Sequence, residues 1–442
     1  MSTMTMKRSL SLGVLAMILA LMAGPAGAAA QRAQATVTIR VSTWDTGTDG
    51  LKPYQEGIAA FEKTHPNIKV EVESITNPMN TDLSFYMAKT LTEVAAGSGP
   101  DVMLVPDEYA RPFVTSGQII PLDSILRANG VKASDFYTNV WNIGRFNGHQ
   151  YYVPKDWADL AIYYNKTMFQ KAHLPLPKAG WTWSDFLRDA RALTITQAGH
   201  PVQWGVQLPG DWLRAGLQAF VSSWGGQILS PDGTTVAGYL TSPAAVKAIT
   251  YYLDLYNKYH ISPTPAIVST FGSLDLFNAQ KVAMIMTGPW PSKTYESNPK
   301  LSFGVAPMPV GPTGKSVTQP FWAGYAINRT TKHLDAAEQF IIFSASKQWG
   351  TIDATWSMPA RKDVAQEVSI PKYPILSTFF AQADNVVPLE DTKPLNFTDV
   401  STPLIHMIDT ATSSTTPVNV PQLIAQTADV IDANLSVRLH QK

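Results

Sequence analysis

Apolar residues recur along this chain at two spacings, and the alternation between them lays out its elements. In "TVTIRVSTW", Val37, Ile39 and Val41 fall on one side of an extended segment, the two-residue period of a half-buried strand. Ile58 to Lys63 then reads as helix, closed by His65-Pro66, and "IKVEVESI" alternates again at Ile68, Val70 and Val72. Leu83, Met87, Leu91 and Val94 are spaced 4, 4 and 3 apart, the apolar stripe of a helix with one face on a core. Gly97-Ser98-Gly99-Pro100 stops that helix, and "DVMLV" is a short buried strand. Strand–helix–strand–helix–strand over about a hundred residues predicts an α/β fold with largely parallel strands.

The rhythm continues. "YYVP" and "LAIYYN" are strands, and Thr182 or Ser184 can cap a helix running past Leu193. Ser242-Pro243 opens a helix with Val246, Ile249, Leu253 and Tyr256 on one face, with proline in its first turn where no N–H is missed. "KVAMIM" is a strand ending at Gly288-Pro289, and "LSFGVAPMPV" and "FWAGYAIN" are extended. Helices from Leu334 to Ser344 and from Pro421 to the C-terminus complete the pattern.

With 442 residues, 45% of them apolar, the chain can fill one large or two medium cores. Its beginning resembles an export signal over residues 1–30: Lys7-Arg8, then apolar Leu10 to Met22, then the small residues Ala26-Gly27-Ala28 or Ala28-Ala29-Ala30. An uncleaved anchor is the rival reading. The chain contains no cysteine, so disulfides, thiol catalysis and a lipid-bearing N-terminal cysteine are excluded. A protein free in the periplasm or outside the cell is expected. Without Lys7 and Arg8 the 34 basic residues become 32 against 34 acidic ones, a net charge of −2. That balance draws the chain toward neither nucleic acid nor an anionic membrane.

Several catalytic or nucleotide motifs fail on inspection. "MPVGPTGKSV" ends in the Gly-Lys-Ser of a phosphate-binding loop, but Pro309 stands where its first glycine belongs. Pro320 follows too soon for the helix such a loop requires, so the stretch is read as a turn. Ser344-Ala345-Ser346-Lys347 lacks the companion motifs of a serine hydrolase, and no two histidines have zinc-ligand spacing. "DTGTDGLKPYQE" puts Asp45, Asp49, Gly50 and Glu56 at calcium-loop positions, yet Gly47 replaces an oxygen ligand and Pro53 interrupts it. It is read as a loop without metal, with Thr48 or Asp49 near the start of the next helix.

The remaining signal is aromatic. Trp44, Trp157, Trp212, Trp290 and Trp322 stand at strand ends, strand starts or a helix start. In open α/β folds ligands lie beyond the carboxyl ends of strands. Tryptophans there, flanked by Asp45, Glu108, Asp156 and Asp211, suit a sugar: C–H faces pack on indoles and carboxylates accept from hydroxyls. Trp183, Trp204 and Trp349 are expected in the core, whereas a Pro or Asp neighbour argues against burial of Trp44, Trp157, Trp212 and Trp290. A glycoside hydrolase would line its cleft similarly, but needs a facing carboxylate pair.

From Val37 onward the chain resembles the family 1 extracellular solute-binding proteins of carbohydrate ABC importers, the maltose-binding protein relatives. The likeness rests on ordered landmarks: "FEKTHPNIKVEV", "GSGPDVMLV", "SGQIIPLD", "YYVPKDWADLAIYYNKTMF", "TWSDF", "NAQKVAMIMTGPW", "APMPVGPTGK", "AGYAINRTTKHLDAAEQFIIF" and "MPARKDV". The resemblance implies a two-lobed type II periplasmic-binding-protein fold with a ligand cleft between the lobes and three hinge crossings. Residues 36–155 and 306–348 would form the N-terminal lobe, 156–305 and 349–442 the C-terminal lobe. The crossings would lie near Val153–Trp157, Val305–Pro309 and Ser346–Thr351.

The same resemblance implies a non-catalytic monomer that takes no cofactor, binds a carbohydrate and delivers it to membrane permease subunits. A glycerol phosphate ester is the alternative ligand. "GPW" puts Trp290 under a sugar ring, and "PKDW" puts Asp156 and Trp157 in the cleft. The loop after "DVMLV" offers Glu108 and Tyr109, and "AGYAI" offers Trp322, Gly324 and Tyr325. Asp211, Trp212 and Arg361 complete the expected site.

Overall fold

A computed structural model describes residues 35–75, 83–209, 213–354, 358–414 and 416–439 of the protein. The expected export segment, the 1–30 stretch, lies outside the described residues, as do Asp211 and Trp212. No helix among the described residues is long and apolar enough to cross a membrane.

The elements used below are, in chain order, β1 (Val37–Thr43), α1 (Gly47–Thr64), β2 (Ile68–Ser74), α2 (Leu83–Ala95), β3 (Val102–Pro106) and α3 (Asp107–Thr115). Next come β4 (Val153–Asp159), β5 (Ala161–Asn165), α4 (Trp183–Leu193), α5 (Pro243–Asn257), β6 (Met284–Thr287) and β7 (Phe303–Ala306). β8 (Pro320–Ile327), α6 (Leu334–Ser344), α7 (Lys347–Asp353), β9 (Met358–Pro359), α8 (Leu376–Phe380), α9 (Thr398–Ser413) and α10 (Val420–Leu439) close the chain.

A six-stranded sheet runs in the order β9-β4-β8-β3-β1-β2, and a three-stranded sheet in the order β6-β5-β7. Among these strands, parallel pairing joins β1 with β2 and β1 with β3, with α1 and α2 as the crossovers of the β1–β2–β3 run. β8 is antiparallel to β3 and β4, β9 is antiparallel to β4, and the small sheet is antiparallel throughout. The expectation of largely parallel strands therefore holds only for the first hundred residues of the fold. Strands that return from elsewhere in the chain enter in the opposite sense.

One correction concerns the stretch from Asp45 to Glu56, read as a loop without metal. It is helix from Gly47 on. Leu51, Tyr54, Ile58 and Phe61 recur at helical spacing and pack into the core, which outweighs Pro53 inside the helix. A helix backbone cannot wrap a cation. Local signals elsewhere work as written: Thr182 and Asp185 form a reciprocal capping box on α4, and Ser242 caps α5 with Pro243 in its first turn. α4 ends at Leu193 rather than past it.

Two cores result. The first lies on the six-stranded sheet and reaches one face of the small sheet, where Tyr163 meets Tyr295, Phe303 and Phe379. The second covers the opposite face of that sheet, with Ile162, Met284, Met286 and Ala306, and continues through α4, α5, α9 and α10. Trp183, Trp204 and Trp349 are core residues, as expected.

The chain leaves and rejoins the large sheet at three places, defined by strand pairing because the first core also takes in Tyr163, Trp204, Leu276 and Tyr295. β4 remains in the large sheet to Asp159, and Leu160 follows it into the second core. After β7 the turn at Gly311–Lys315 closes on itself, with Gly311 N–H donating to the Lys315 carbonyl, and the large sheet is rejoined at Pro320. The segment resembling a phosphate loop is that turn. Trp349 packs on Tyr54, Tyr325, Phe340 and Phe343, and β9 joins the large sheet, so 349–386 stays with the first core. The second core is entered at Leu389.

Candidate ligand-binding cleft

One cleft is built where three strands end. Trp44 follows β1, Pro106, Asp107 and Glu108 follow or end β3, and Pro289 and Trp290 follow β6. Its remaining wall is a ladder of paired residues on two antiparallel strands: Phe321 opposite Ala158, Trp322 opposite Trp157, and Ala323 opposite Asp156. Together with Leu83 these enclose about 440 Å³, within the roughly 300–1,000 Å³ usual for small-molecule sites.

Of the residues expected in the site, the cleft brings together Trp44, Glu108, Asp156, Trp157, Trp290 and Trp322. The four indoles differ in setting. Trp290 is 39% exposed and meets Phe321 edge to face at 5.4 Å. Trp44 is half-buried against Tyr86. Trp157 and Trp322 are only 2% and 3% exposed and form the floor. Burial of Trp157 runs against the sequence expectation. Asp156 beside it marked a loop, whereas the residue belongs to a strand flanked by Tyr137 and Phe380. The indole N–H groups of Trp157 and Trp322 have no hydrogen-bond partner among the described residues.

Gly324 sits behind the floor rather than on it. A Cβ there would come within 2.4 Å of the Trp322 ring, so the position is kept bare to seat that indole.

Other expected residues lie elsewhere. Tyr325 is fully buried against Phe340 and Trp349, its side chain carried away from the cleft where the β8–β4 register shifts between Ala323 and Gly324. Asp45 turns back to accept from Thr43 Oγ1 and Tyr54 Oη, both at 3.0 Å. Tyr109 is one helix position beyond Glu108 and packs on Phe397 instead. Arg361 is tied to Asp363 at 2.9 Å and stacks over Phe136. Partners outside the cleft claim each of these side chains.

Asp107, Leu83, Phe321, Ala158 and Ala323 line the cleft without having been expected there. Asp107 and Glu108 occupy the first turn of α3, where the helix dipole favours negative charge. Adjacency to Glu108 and to Trp322 was the available signal for Asp107 and Phe321. Ala158 and Ala323 enter the lining through their register opposite Phe321 and Asp156.

Beside the cleft, Lys155 sits where the β4–β8 register shifts, since Ala323 pairs with Asp156 and Gly324 with Pro154. Its side chain is 7% exposed, 2.8 Å from Asp156 Oδ2, 3.4 Å from Asp353 Oδ2 and over the Tyr54 ring. Burial alone would lower its ammonium, but Asp156, Asp353 and Asp45 hold it well above the ordinary lysine value.

A hydrogen-bonded clasp joins the three passages between cores. Leu160 N–H donates to Thr318 Oγ1, which donates to the Leu160 carbonyl, both at 2.9 Å. Thr318 N–H donates to the Asn385 carbonyl, and Val387 N–H donates to the Thr318 carbonyl. Gln382 adds bonds to Asp159 and Leu160 and accepts from Met308 N–H.

The model of the bacterial extracellular solute-binding protein family matches residues 44–351. The galactooligosaccharide-binding protein of Bacillus subtilis (strain 168) is 24% identical over 343 residues, 74% of this chain and 73% of that protein. The ABC substrate-binding protein of Listeria monocytogenes solved with cycloalternan has a similar fold, with TM-score 0.76, 22% identity, and coverage of 91% and 99% of the two chains. UgpB of Mycobacterium tuberculosis, solved with glycerophosphocholine, has a TM-score of 0.75 at 18% identity and coverage of 91% and 99%.

Proposed function

Because this chain belongs to the bacterial extracellular solute-binding proteins, we propose that it captures an oligosaccharide in the cleft and delivers it to the permease subunits of an ABC importer. The observation that carries this reading is the lining of the cleft. Trp44, Trp157, Trp290 and Trp322 surround it together with Asp107, Glu108 and Asp156. Indole faces take the C–H faces of sugar rings, and carboxylates accept from their hydroxyls. Relatives named for galactooligosaccharide binding or solved with cycloalternan point the same way.

The lobes in this reading are 37–159 with 319–387, and 160–318 with 388–439. They close on the ligand by rotating about the Thr318 clasp. The protein works as a monomer, without cofactor, metal or nucleic acid, in the periplasm or outside the cell. It turns nothing over: sugar leaves as it arrived, and incubation with oligosaccharides releases no new reducing ends.

The fold shared with UgpB supports a second ligand class, the glycerol phosphate esters. A phosphate wants arginine or lysine at its oxygens, and none lines the cleft among the described residues. Titrating a panel of mono- and oligosaccharides and a glycerophosphodiester against tryptophan fluorescence separates the two. Saturable quenching by a sugar and none by the diester is the expected result. Saturation by the diester alone would overturn the sugar reading.

A further inference from the structure

Lys155 and Asp353 are nowhere on the cleft surface, yet they bear on one of its walls. The register shift between β4 and β8 leaves Lys155 without a cross-strand partner and turns its side chain inward. There its ammonium meets two carboxylates from different elements. Asp156 is its sequence neighbour, on β4 and in the cleft lining, at 2.8 Å. Asp353 is the last residue of α7, at 3.4 Å, with a side chain only 9% exposed. One buried cation is thus divided between a carboxylate that faces the ligand and one that does not.

We propose that Lys155 and Asp353 are positioning residues of the cleft. Lys155 fixes the Asp156 carboxylate in the wall, and Asp353 governs how strongly it does so by competing for the same ammonium. This rests on the reading of the cleft as the ligand site. A carboxylate that shares its lysine keeps more of its charge for a ligand hydroxyl, and a charge-assisted bond strengthens with that charge. When Asp353 is neutral, Lys155 turns wholly to Asp156 and weakens it as an acceptor.

Protonation can perform that neutralisation. Burial, partly offset by Lys155, pushes the Asp353 carboxyl up to about 6. The groups facing it include Lys155 and Asp156 from β4, Asp45 from the turn after β1, Tyr54 from α1 and Tyr325 from β8. Ligand affinity should accordingly weaken as Asp353 takes up its proton.

The test compares the intact wild-type protein with Asp353→Asn and Asp353→Glu, using the tightest sugar from the panel. Wild-type affinity should fall about 3- to 10-fold between about pH 7.5 and about pH 5, the range of a modest change in one hydrogen bond. Asp353→Asn should bind at the weaker level at both pH values, and Asp353→Glu should restore the step. A merely structural role would lower the melting temperature while leaving the pH step in place. Wild-type affinity and pH profile in Asp353→Asn would overturn the proposal.

A ligand-free arm keeps the two readings apart. Carbon-13 NMR of the side-chain carboxylates should show the Asp156 resonance following the titration of Asp353 and losing that step in Asp353→Asn. Independent titration overturns the proposal whether or not a sugar binds. Coupled titration without binding of any sugar supports the positioning and overturns the sugar reading.

Discussion

Trp290 lies across Gly288, so closely that a Cβ on that glycine would come within 2.0 Å of the indole ring. The bare backbone two residues earlier seats the ring, while 39% of the residue stays open to the cleft. Stacking a sugar on that face buries apolar area worth roughly 1.5–3 kcal/mol. Trp290→Ala should therefore weaken binding by about 10- to 150-fold, with the ligand-free melting temperature nearly unchanged. Gly288→Ala should weaken binding in the same direction by displacing the indole, although it removes no ligand-facing atom. Calorimetry and thermal melts on both variants check this, and unchanged affinity in both removes Trp290 from the site.

How much of this was legible follows from the range of the interactions involved. Strand ends carrying Trp44, Glu108 and Trp290 could be read because each depends on local pattern and on the rule that ligands gather at carboxyl ends. Tyr325 and Asp45 were misplaced because their partners, Trp349 and Tyr54, come from distant or unforeseen helices. The packing of 349–386 depends on distant contacts too: Trp349 under α1 and α6, β9 paired with β4, and Phe380 against Tyr137 and Trp157. The buried ion pair of Lys155 left no trace in the sequence, since a register shift is a property of two strands together.

Tyr109 and Phe397 meet edge to face, with centroids 5.2 Å apart. Tyr109 belongs to α3, one residue past Glu108 of the cleft, and Phe397 immediately precedes α9 of the second core. Such a pair contributes about 0.5–1.5 kcal/mol beyond its area, here to the approach of the two lobes. Phe397→Ala should lower sugar affinity about 2- to 12-fold, mainly through faster release, without touching the cleft lining. Stopped-flow fluorescence resolves the rates, and an unchanged release rate counts against the contact as a closing element.

Asp159 ends β4 with its carboxyl fully buried. One oxygen accepts from Gln382 Nε2 at 3.2 Å, and the other has no hydrogen-bond partner among the described residues. Burial raises this carboxyl well above the ordinary aspartate range. The folded protein therefore keeps a proton that the unfolded chain loses near about pH 3.9. The stability this contributes is complete below that value and is lost as pH rises through the folded-state value. Asp159→Asn keeps the shape and the Gln382 contact but has no proton to lose. Its melting temperature relative to wild type should climb as pH is raised. A difference that stays constant with pH would show that Asp159 is ionised in the fold.

Thr318 is bonded to one passage through its side chain and to another through its backbone. Its hydroxyl both accepts from Leu160 N–H and donates to the Leu160 carbonyl, and its backbone bonds to Asn385 and Val387. Thr318→Val preserves volume and the backbone bonds but strands the N–H of Leu160, a residue with no exposed surface, while the Leu160 carbonyl keeps its bond from Gln382 Nε2. Each buried group left unpaired costs about 1–3 kcal/mol, so the ligand-free protein should melt lower. Loosening one strand of the clasp should also widen the range of lobe orientations. In small-angle scattering the ligand-free variant should then be more expanded than wild type, and saturating sugar should bring both to the same compact form. Identical scattering of the two ligand-free proteins would mean that the lobes rotate about some other point.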